Sequence, residues 1–361
     1  MPRRPRNNNL TDQFKDGELT DHAADELAGP KLKYGRRSRH ADTVKAKNTA
    51  EQFEKKRRAA ADKLPLGRVV QVYSLFFDVE SDGEEPHLCT ARKTIQRVAE
   101  TEIVVGDEVR FDKTGGTVKI PGADDGTPLR AEGVIEFVEP RRTVLTRTDP
   151  LDEAKQDPIV ANAHGMLITV ALLNPWPRWG LVDRMLIAAK AGGLDATVVL
   201  NKVDLDQDGA LDQAREVLAH YQTLGVGSIE CSAETGVGLD QLRTHLAGKE
   251  TVLAGHSGVG KSSLINAIDP DLDLRVGAVS DAHDKGMHTT TSARRFPLSF
   301  AGDVVNGAVI DTPGVKVFGL WGVTPENLLE THFPDVADQR APQWRVESYE
   351  RVRESVTPKY D

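Results

Sequence analysis

The sequence predicts a multidomain chain. An all-β, OB-like barrel precedes an α/β domain with a mostly parallel sheet, and a short helical C-terminal tail follows. Three observations carry this. Between Leu66 and Pro140, short runs of alternating apolar residues are separated by Gly, Asp and Pro turns, the texture of a small closed barrel. From Pro158 onward, strand-sized apolar runs alternate with helix-sized amphipathic ones, which argues for a sheet covered by helices on both faces. Finally, one strand-like run passes through a glycine-rich turn directly into a helix-like run.

The elements follow in order. Residues 1–65 have few apolar positions and form a basic arm expected to be largely disordered, with helical tendency over Thr43–Lys63. Residues 66–140 hold the barrel strands. "GRVVQVYSLFFDVES" places Val70, Val72, Leu75, Phe77 and Val79 on one alternating face, and "HLCTARK", "EIVVGDEVRF", "TVKI" and "EGVIEFVEP" follow. Tyr73 and Phe76, near Arg92 and Lys93, are candidates for stacking on bases, a core role being the alternative for each. Residues 141–157 are polar and basic and are expected to be a linker. Residues 158–322 carry the α/β pattern, and residues 323–361 form an appendage with helices expected near Pro325–Thr331 and Gln343–Val356.

Composition narrows the function classes. No apolar run approaches the ~20 residues that cross a bilayer, and the basic start "MPRRPRNNNL" is not a secretory signal. Cys89 and Cys231 lack both a disulfide framework and zinc-ligand spacing. A cytoplasmic protein without membrane association is expected. The net charge is −9, yet residues 1–65 carry 16 Lys and Arg against 10 Asp and Glu, a local balance of +6 that leaves −15 for the rest. A basic arm on an acidic body suits RNA phosphates, since neutralising them releases counterions. A solvated tail is the alternative.

The chemistry lies in five short segments. Gly255–Ser262 reads G-x-x-x-x-G-K-S after a strand and at the start of a helix. There the backbone N–H groups of Gly255, Ser257, Gly258, Val259, Gly260 and Ser263 can face phosphate oxygens. Lys261 would reach the β- and γ-phosphates and Ser262 would ligate Mg²⁺. "NKVDL" supplies the base reader: the Asp204 carboxylate can accept two hydrogen bonds from guanine, a donor pair that adenine lacks, while Asn201 stands at the strand end and Lys202 can cover the base plane. In "CSAETG", Ser232 and Ala233 would form a loop approaching the guanine carbonyl. "GAVIDTPGV" places Asp311 to hold Mg²⁺ through water and Gly314 to sense the γ-phosphate, and in "DKGMHTTT" Thr289 or Thr290 could complete the Mg²⁺ shell. These are the parts of a P-loop GTPase binding GTP and GDP, but the base-reading loops precede the phosphate loop. Such circular permutation preserves contacts when the old termini lie close together.

The rotated order, "GHSGVGKSSLINAI", "HTTT", "DTPGV" followed by "FGLWGV", and the barrel in front together resemble the ribosome small subunit-dependent GTPase A family over roughly residues 66–335. The resemblance implies a GTP hydrolase that binds the small ribosomal subunit and its rRNA, assists late maturation and turns over faster when bound. A monomer with no DNA partner is expected. Val315 stands where many GTPases have a water-orienting Gln, and His288 matches the residue suspected of that role in the family. The family usually ends in a zinc module of three Cys and one His. Residues 316–361 contain no Cys and only His332, so no zinc is expected. The readings weighed against a subunit-stimulated GTPase are a nucleotide-gated RNA-binding switch with little turnover, and a permuted GTPase acting on the large subunit or another RNA.

Overall fold

The computed structural model describes residues 58–73, 75–81, 83–92, 102–119, 129–148, 156–272, 274, 293–300, 303–312, 318–320 and 322–356. The chain divides into two units, Met1–Arg57 and Arg58–Asp361, and all described residues belong to the second. The expected N-terminal arm therefore lies outside the described residues up to Arg57.

Five strands build the barrel: β1 (Leu66–Tyr73), β2 (Phe76–Glu80), β3 (His87–Ala91), β4 (Glu108–Val118) and β5 (Arg130–Val138). They pair in the order β1-β2-β3-β5-β4, and β4 returns to β1, so the sheet closes and leaves no free edge. Val69, Phe77, Val79, Cys89, Val109, Phe111 and Ile135 fill the interior. The sequence reading needs two adjustments. The register of β1 shifts between Val69 and Gln71, so Val69 points inward and Val70 is only half-buried. Leu75 sits in the turn joining β1 to β2 and is 64% exposed.

The stretch expected as a linker carries a strand, β6 (Val144–Thr148), which pairs antiparallel with β7 (Gln156–Ala161). After it comes the α/β sheet, with strands β8 (Gly165–Ala171), β9 (Asp195–Asn201), β10 (Gly227–Glu230), β11 (Glu250–Ala254), β12 (Arg294–Phe300) and β13 (Asp303–Asp311). Their spatial order is β10-β9-β8-β11-β13-β12. All neighbours run parallel except β12 against β13. β8 reads as a nearly unbroken apolar run and every residue of β11 is buried, because both faces of these strands are covered.

Among the described residues, four helices cover the sheet: α1 (Trp179–Ala191), α2 (Ala210–Thr223), α3 (Leu239–Leu246) and α4 (Lys261–Ile268). Ala210, Ala214, Leu218 and Tyr221 make the buried stripe of α2, and Leu239, Leu242 and Leu246 that of α3. One core packs α1 and α2 against the sheet, and a second packs α3 and α4 on the other face.

The barrel and the sheet are joined by the antiparallel pairing of β1 with β12, Gln71 opposite Arg294, and by charge. Glu250 opens β11 and is buried. It accepts from Arg68 of β1 at 2.7 Å and from Arg295 of β12 at 2.9 Å, and Arg295 also reaches Glu80 of β2 at 3.0 Å. The tail forms short helical turns at Pro325–Asn327 and Pro334–Ala337 and the longer helix α5 (Gln343–Val356). Leu328, Phe333 and Val352 pack around Ile187 of α1.

Candidate functional site

β8 and β11 are neighbours, but the chain leaves them in opposite directions. From β8 it moves outward to β9 and β10, and from β11 it moves to β13 and β12. A crevice forms at the carboxyl ends of the strands at such a switch point, and open α/β sheets bind ligands there. The phosphate loop follows β11, "NKVDL" follows β9, "CSAETG" follows β10 and Asp311 ends β13. All four converge on that crevice, so the rotated chain order still assembles one site.

The phosphate loop needs its glycines. Gly255 has φ +139°, and a Cβ there would lie 2.3 Å from the Thr169 carbonyl oxygen. Gly260 has φ +91°, and a Cβ there would lie 2.3 Å from Asn201 Nδ2. Side chains at either position would strain the backbone and collide with β8 or with the end of β9. Gly260 also caps α4, which begins at Lys261, so the loop delivers the N–H groups of a helix start into the crevice. Ser257 and Gly258 are exposed there, Val259 is buried, and Ser262 and Ser263 are half-buried on the first turn.

Base loop and phosphate loop are clasped directly. Asn201, 1% exposed, donates from Nδ2 to the Val259 carbonyl at 2.9 Å. Lys202 donates from Nζ to the Gly258 carbonyl at 2.8 Å and also to the Asn174 carbonyl. Its backbone is left-handed, φ +63°, which turns the chain so that Asp204 faces the loop after β10. There the Ser232 hydroxyl donates to Asp204 Oδ1 at 2.5 Å and accepts from the Thr235 N–H at 3.0 Å. Ser232 is buried, Ala233 half-buried and Asp204 exposed. One Asp204 oxygen is thus held while the carboxylate faces solvent.

Lys261 and Asp311 form the charged floor. Lys261 donates from Nζ to the Gly255 carbonyl at 2.9 Å and to the His256 carbonyl at 3.2 Å. Burial lowers the pKa of its ammonium, and Asp311 partly opposes this. Burial raises the pKa of the Asp311 carboxyl, and Lys261 and the Thr312 N–H draw it back. Asp311 is level with Leu253, next to the loop on the adjoining strand.

His288, Thr289, Thr290, Gly314 and Val315 lie outside the described residues, as does Lys93. In the barrel, the Tyr73 hydroxyl donates to Asp78 at 3.0 Å, and burial pushes its pKa up to about 12. Arg92 pairs with Glu136 at 2.6 Å. Of the two candidates for stacking on bases, Tyr73 is thus engaged within the barrel, and Phe76 is half-buried at the start of β2. The Asn201–Val259 and Ser232–Asp204 contacts were not foreseen in the sequence, because pairs 58 and 28 residues apart leave no local pattern.

A glycine-cradled loop at the switch point, clasped to an Asn-Lys-x-Asp base loop and flanked by an aspartate, defines a P-loop GTP hydrolase of circularly permuted order. Residues 138–321 match the family model described as RsgA GTPase. The chain is 35% identical over 266 residues to the small ribosomal subunit biogenesis GTPase RsgA of Photorhabdus laumondii, covering 73% of this chain and 70% of the relative. It is 37% identical over 268 residues to the small ribosomal subunit biogenesis GTPase RsgA 1 of Vibrio vulnificus, covering 74% and 69%. Among solved structures, YjeQ from Thermotoga maritima aligns with TM-score 0.61 at 28% identity, covering 82% of this chain and 99% of that one. YloQ, a circularly permuted GTPase, aligns with TM-score 0.55 at 22% identity over 82% and 97%, a likeness of fold. The chain belongs to the RsgA GTPase family.

Proposed function

We propose that this protein hydrolyses GTP to GDP and phosphate and that it binds the small ribosomal subunit, assisting its maturation in the cytoplasm with subunit-stimulated turnover. The observation that carries the reading is the clasp of Asn201 and Lys202 onto the phosphate loop, which unites a guanine reader and a phosphate cradle in permuted order behind a closed barrel. The names of the relatives support the partner. The rRNA of that subunit is the natural target of the basic N-terminal arm. The protein acts as a monomer, with residues 1–65 as arm, 66–140 as barrel, 158–322 as GTPase and 323–361 as appendage.

In this reading Asp204 accepts from the guanine ring N–H and exocyclic amine, and Ser232 keeps its carboxylate turned to the base. Asn201 has a second amide N–H for the base N7 once the first is given to Val259. Loop N–H groups and Lys261 hold the phosphates, and Lys261 meets negative charge as it develops on the γ-phosphate oxygens. The donor set suits Mg²⁺: the Ser262 hydroxyl and the Asp311 carboxylate are hard oxygen ligands beside the cradle. The ion, when bound, would neutralise phosphate charge. Gly314 and either Thr289 or Thr290 are assigned to the γ-phosphate and the ion, and His288 to positioning the attacking water. The test is GTP hydrolysis by the pure protein alone, with isolated small subunits and with large subunits, using ATP as control. A many-fold rise with small subunits alone is expected. No rise, with tight guanine-nucleotide binding retained, would defeat the assignment and favour an RNA-binding switch.

A further inference from the structure

We propose that Trp176, Arg178 and Arg351 form a contact site for single-stranded RNA, with a base stacked on the indole and flanking phosphates held by the two guanidiniums. The inference deepens the reading above, since it assigns part of the subunit contact to a surface outside the barrel and the nucleotide site.

Trp176 lies in the loop between β8 and α1 and is 66% exposed. Pro175 and Pro177 flank it, so the backbone that carries the indole has little freedom to lose on binding. Arg178 is the N-cap residue of α1 and shares a shallow cavity with Trp176. Arg351 arrives from α5: its guanidinium nitrogens lie 3.6 and 3.8 Å from the place a Cβ would occupy on Gly180. The bare glycine lets Arg351 lie across the first turn of α1, two residues from Arg178. One turn further on, Arg184 donates to the Ser355 hydroxyl at 3.0 Å and ties α5 to α1 at the same face.

The charge of α1 sets its exposed side apart. The chain carries a net −9, yet the sole acid of α1 is Asp183, which is fully buried and engaged by Arg345 and Tyr221. The exposed side of α1 therefore presents cations only. Among the described residues neither Arg178 nor Arg351 has an ion-pair partner. Arg178 and Arg351 beside an exposed indole match the polyanion and π-face of a single strand, where stacking and phosphate neutralisation act together, while the exposed Glu347, Glu350 and Glu354 of α5 confine the cationic strip to the α1 side of the helix pair. A protein partner would have to bring a cluster of acids to the same place, which makes it the competing outcome of the test. The cavity that Trp176 and Arg178 share continues to Gly255, His256 and Val259, so a strand bound here would border the phosphate loop.

The test uses the full chain, Trp176→Ala and the double variant Arg178→Ala/Arg351→Ala. Each is titrated with a labelled single-stranded RNA dodecamer and with isolated small subunits at several salt concentrations. Basal GTP hydrolysis and guanine-nucleotide affinity serve as the check on folding and are expected to stay unchanged. Trp176→Ala is expected to weaken dodecamer binding about 5- to 100-fold. The arginine pair is expected to weaken it at least about tenfold and to reduce the slope of log affinity against log salt by about 1.4, the contribution of two single-strand phosphates. Unchanged affinity and slope in both variants overturn the proposal. Variants that lose subunit binding but keep dodecamer binding identify a protein contact, which also overturns it. If the wild-type chain binds no small subunits, the small-subunit reading fails, and the dodecamer alone decides the surface.

Discussion

The Asn201 side-chain amide donates to the Val259 carbonyl across 2.9 Å, with the asparagine almost wholly buried. This single bond ties the loop that selects the base to the loop that grips phosphates, and it does so from the opposite chain direction to the usual order. Asn201→Ala leaves the Val259 carbonyl unpaired, a loss of about 1–3 kcal/mol. The expected outcome is a drop of about ten- to a hundredfold in GDP affinity with the fold intact, read by fluorescent-nucleotide titration and circular dichroism. Wild-type affinity would remove the clasp from the account of binding.

Asp204 sets the base. Its carboxylate faces solvent with one oxygen held by Ser232 at 2.5 Å. Asp204→Asn exchanges one acceptor for a donor, which meets the guanine amine with a like group and meets the second carbonyl of xanthine with a complementary one. GTP affinity is expected to fall by at least about tenfold, roughly one charge-assisted hydrogen bond. Affinity for XTP is expected to rise. Ser232→Ala is expected to weaken both nucleotides by a smaller factor. Competition titrations with GTP, XTP and ATP check the pattern.

How much of this was legible in the chain depends on the range of the signal. The phosphate loop, "NKVDL" and the α/β alternation are local patterns, and each lands on the strand end that its spacing implies. The barrel strands were visible, but the inward face of β1 was misread because a register shift at Val69–Gln71 breaks the period of two. The strand at Val144–Thr148 was hidden by its composition, since Thr and Arg alternate on a two-stranded pairing with β7. Arg68, Glu250 and Arg295 look like ordinary surface charges in sequence, and only the fold brings them together.

The C-terminal helix is held by a buried charge cluster. Arg345 pairs with Asp183 and, at 3.2 Å, with Asp335, donates to the His332 carbonyl at 3.1 Å, and stacks 4.1 Å from the Phe333 ring. His220 Nε2 lies 2.8 Å from Asp335, and the Tyr221 hydroxyl donates to Asp183 at 2.6 Å. Arg345→Met strands two buried carboxylates, which typically costs about 3–5 kcal/mol. Thermal melting is expected to move down by several degrees, and limited proteolysis is expected to release α5 first. Adding Asp183→Asn and Asp335→Asn to Arg345→Met should recover part of the loss, because no unpaired charge then remains.

Residues 316–361 contain no cysteine and a single histidine, His332, which does not supply the three Cys and one His of a zinc module. Elemental analysis of the purified protein is expected to find zinc far below one atom per chain, and a zinc-selective chelator should leave melting and hydrolysis unchanged. Stoichiometric zinc would overturn the expectation. Chelating Mg²⁺, by contrast, should stop hydrolysis.

His332 gives the tail a pH dependence with a definite sign. Burial and the nearby Lys190 push its pKa down from 6.5 to about 4. The folded state therefore resists a proton that the unfolded chain accepts, so stability is fully present above about pH 6.5 and is lost as pH falls toward about 4. Asp311 works in the opposite direction: its carboxyl pKa is raised by burial, so the folded state holds a proton more readily than the unfolded chain does. His332→Gln removes the first contribution alone. Denaturant melts of wild type and His332→Gln between pH 4 and pH 7 should diverge, with the variant losing less stability on acidification. Parallel curves would mean that His332 is solvated in the folded protein and that the acid sensitivity of the tail arises elsewhere.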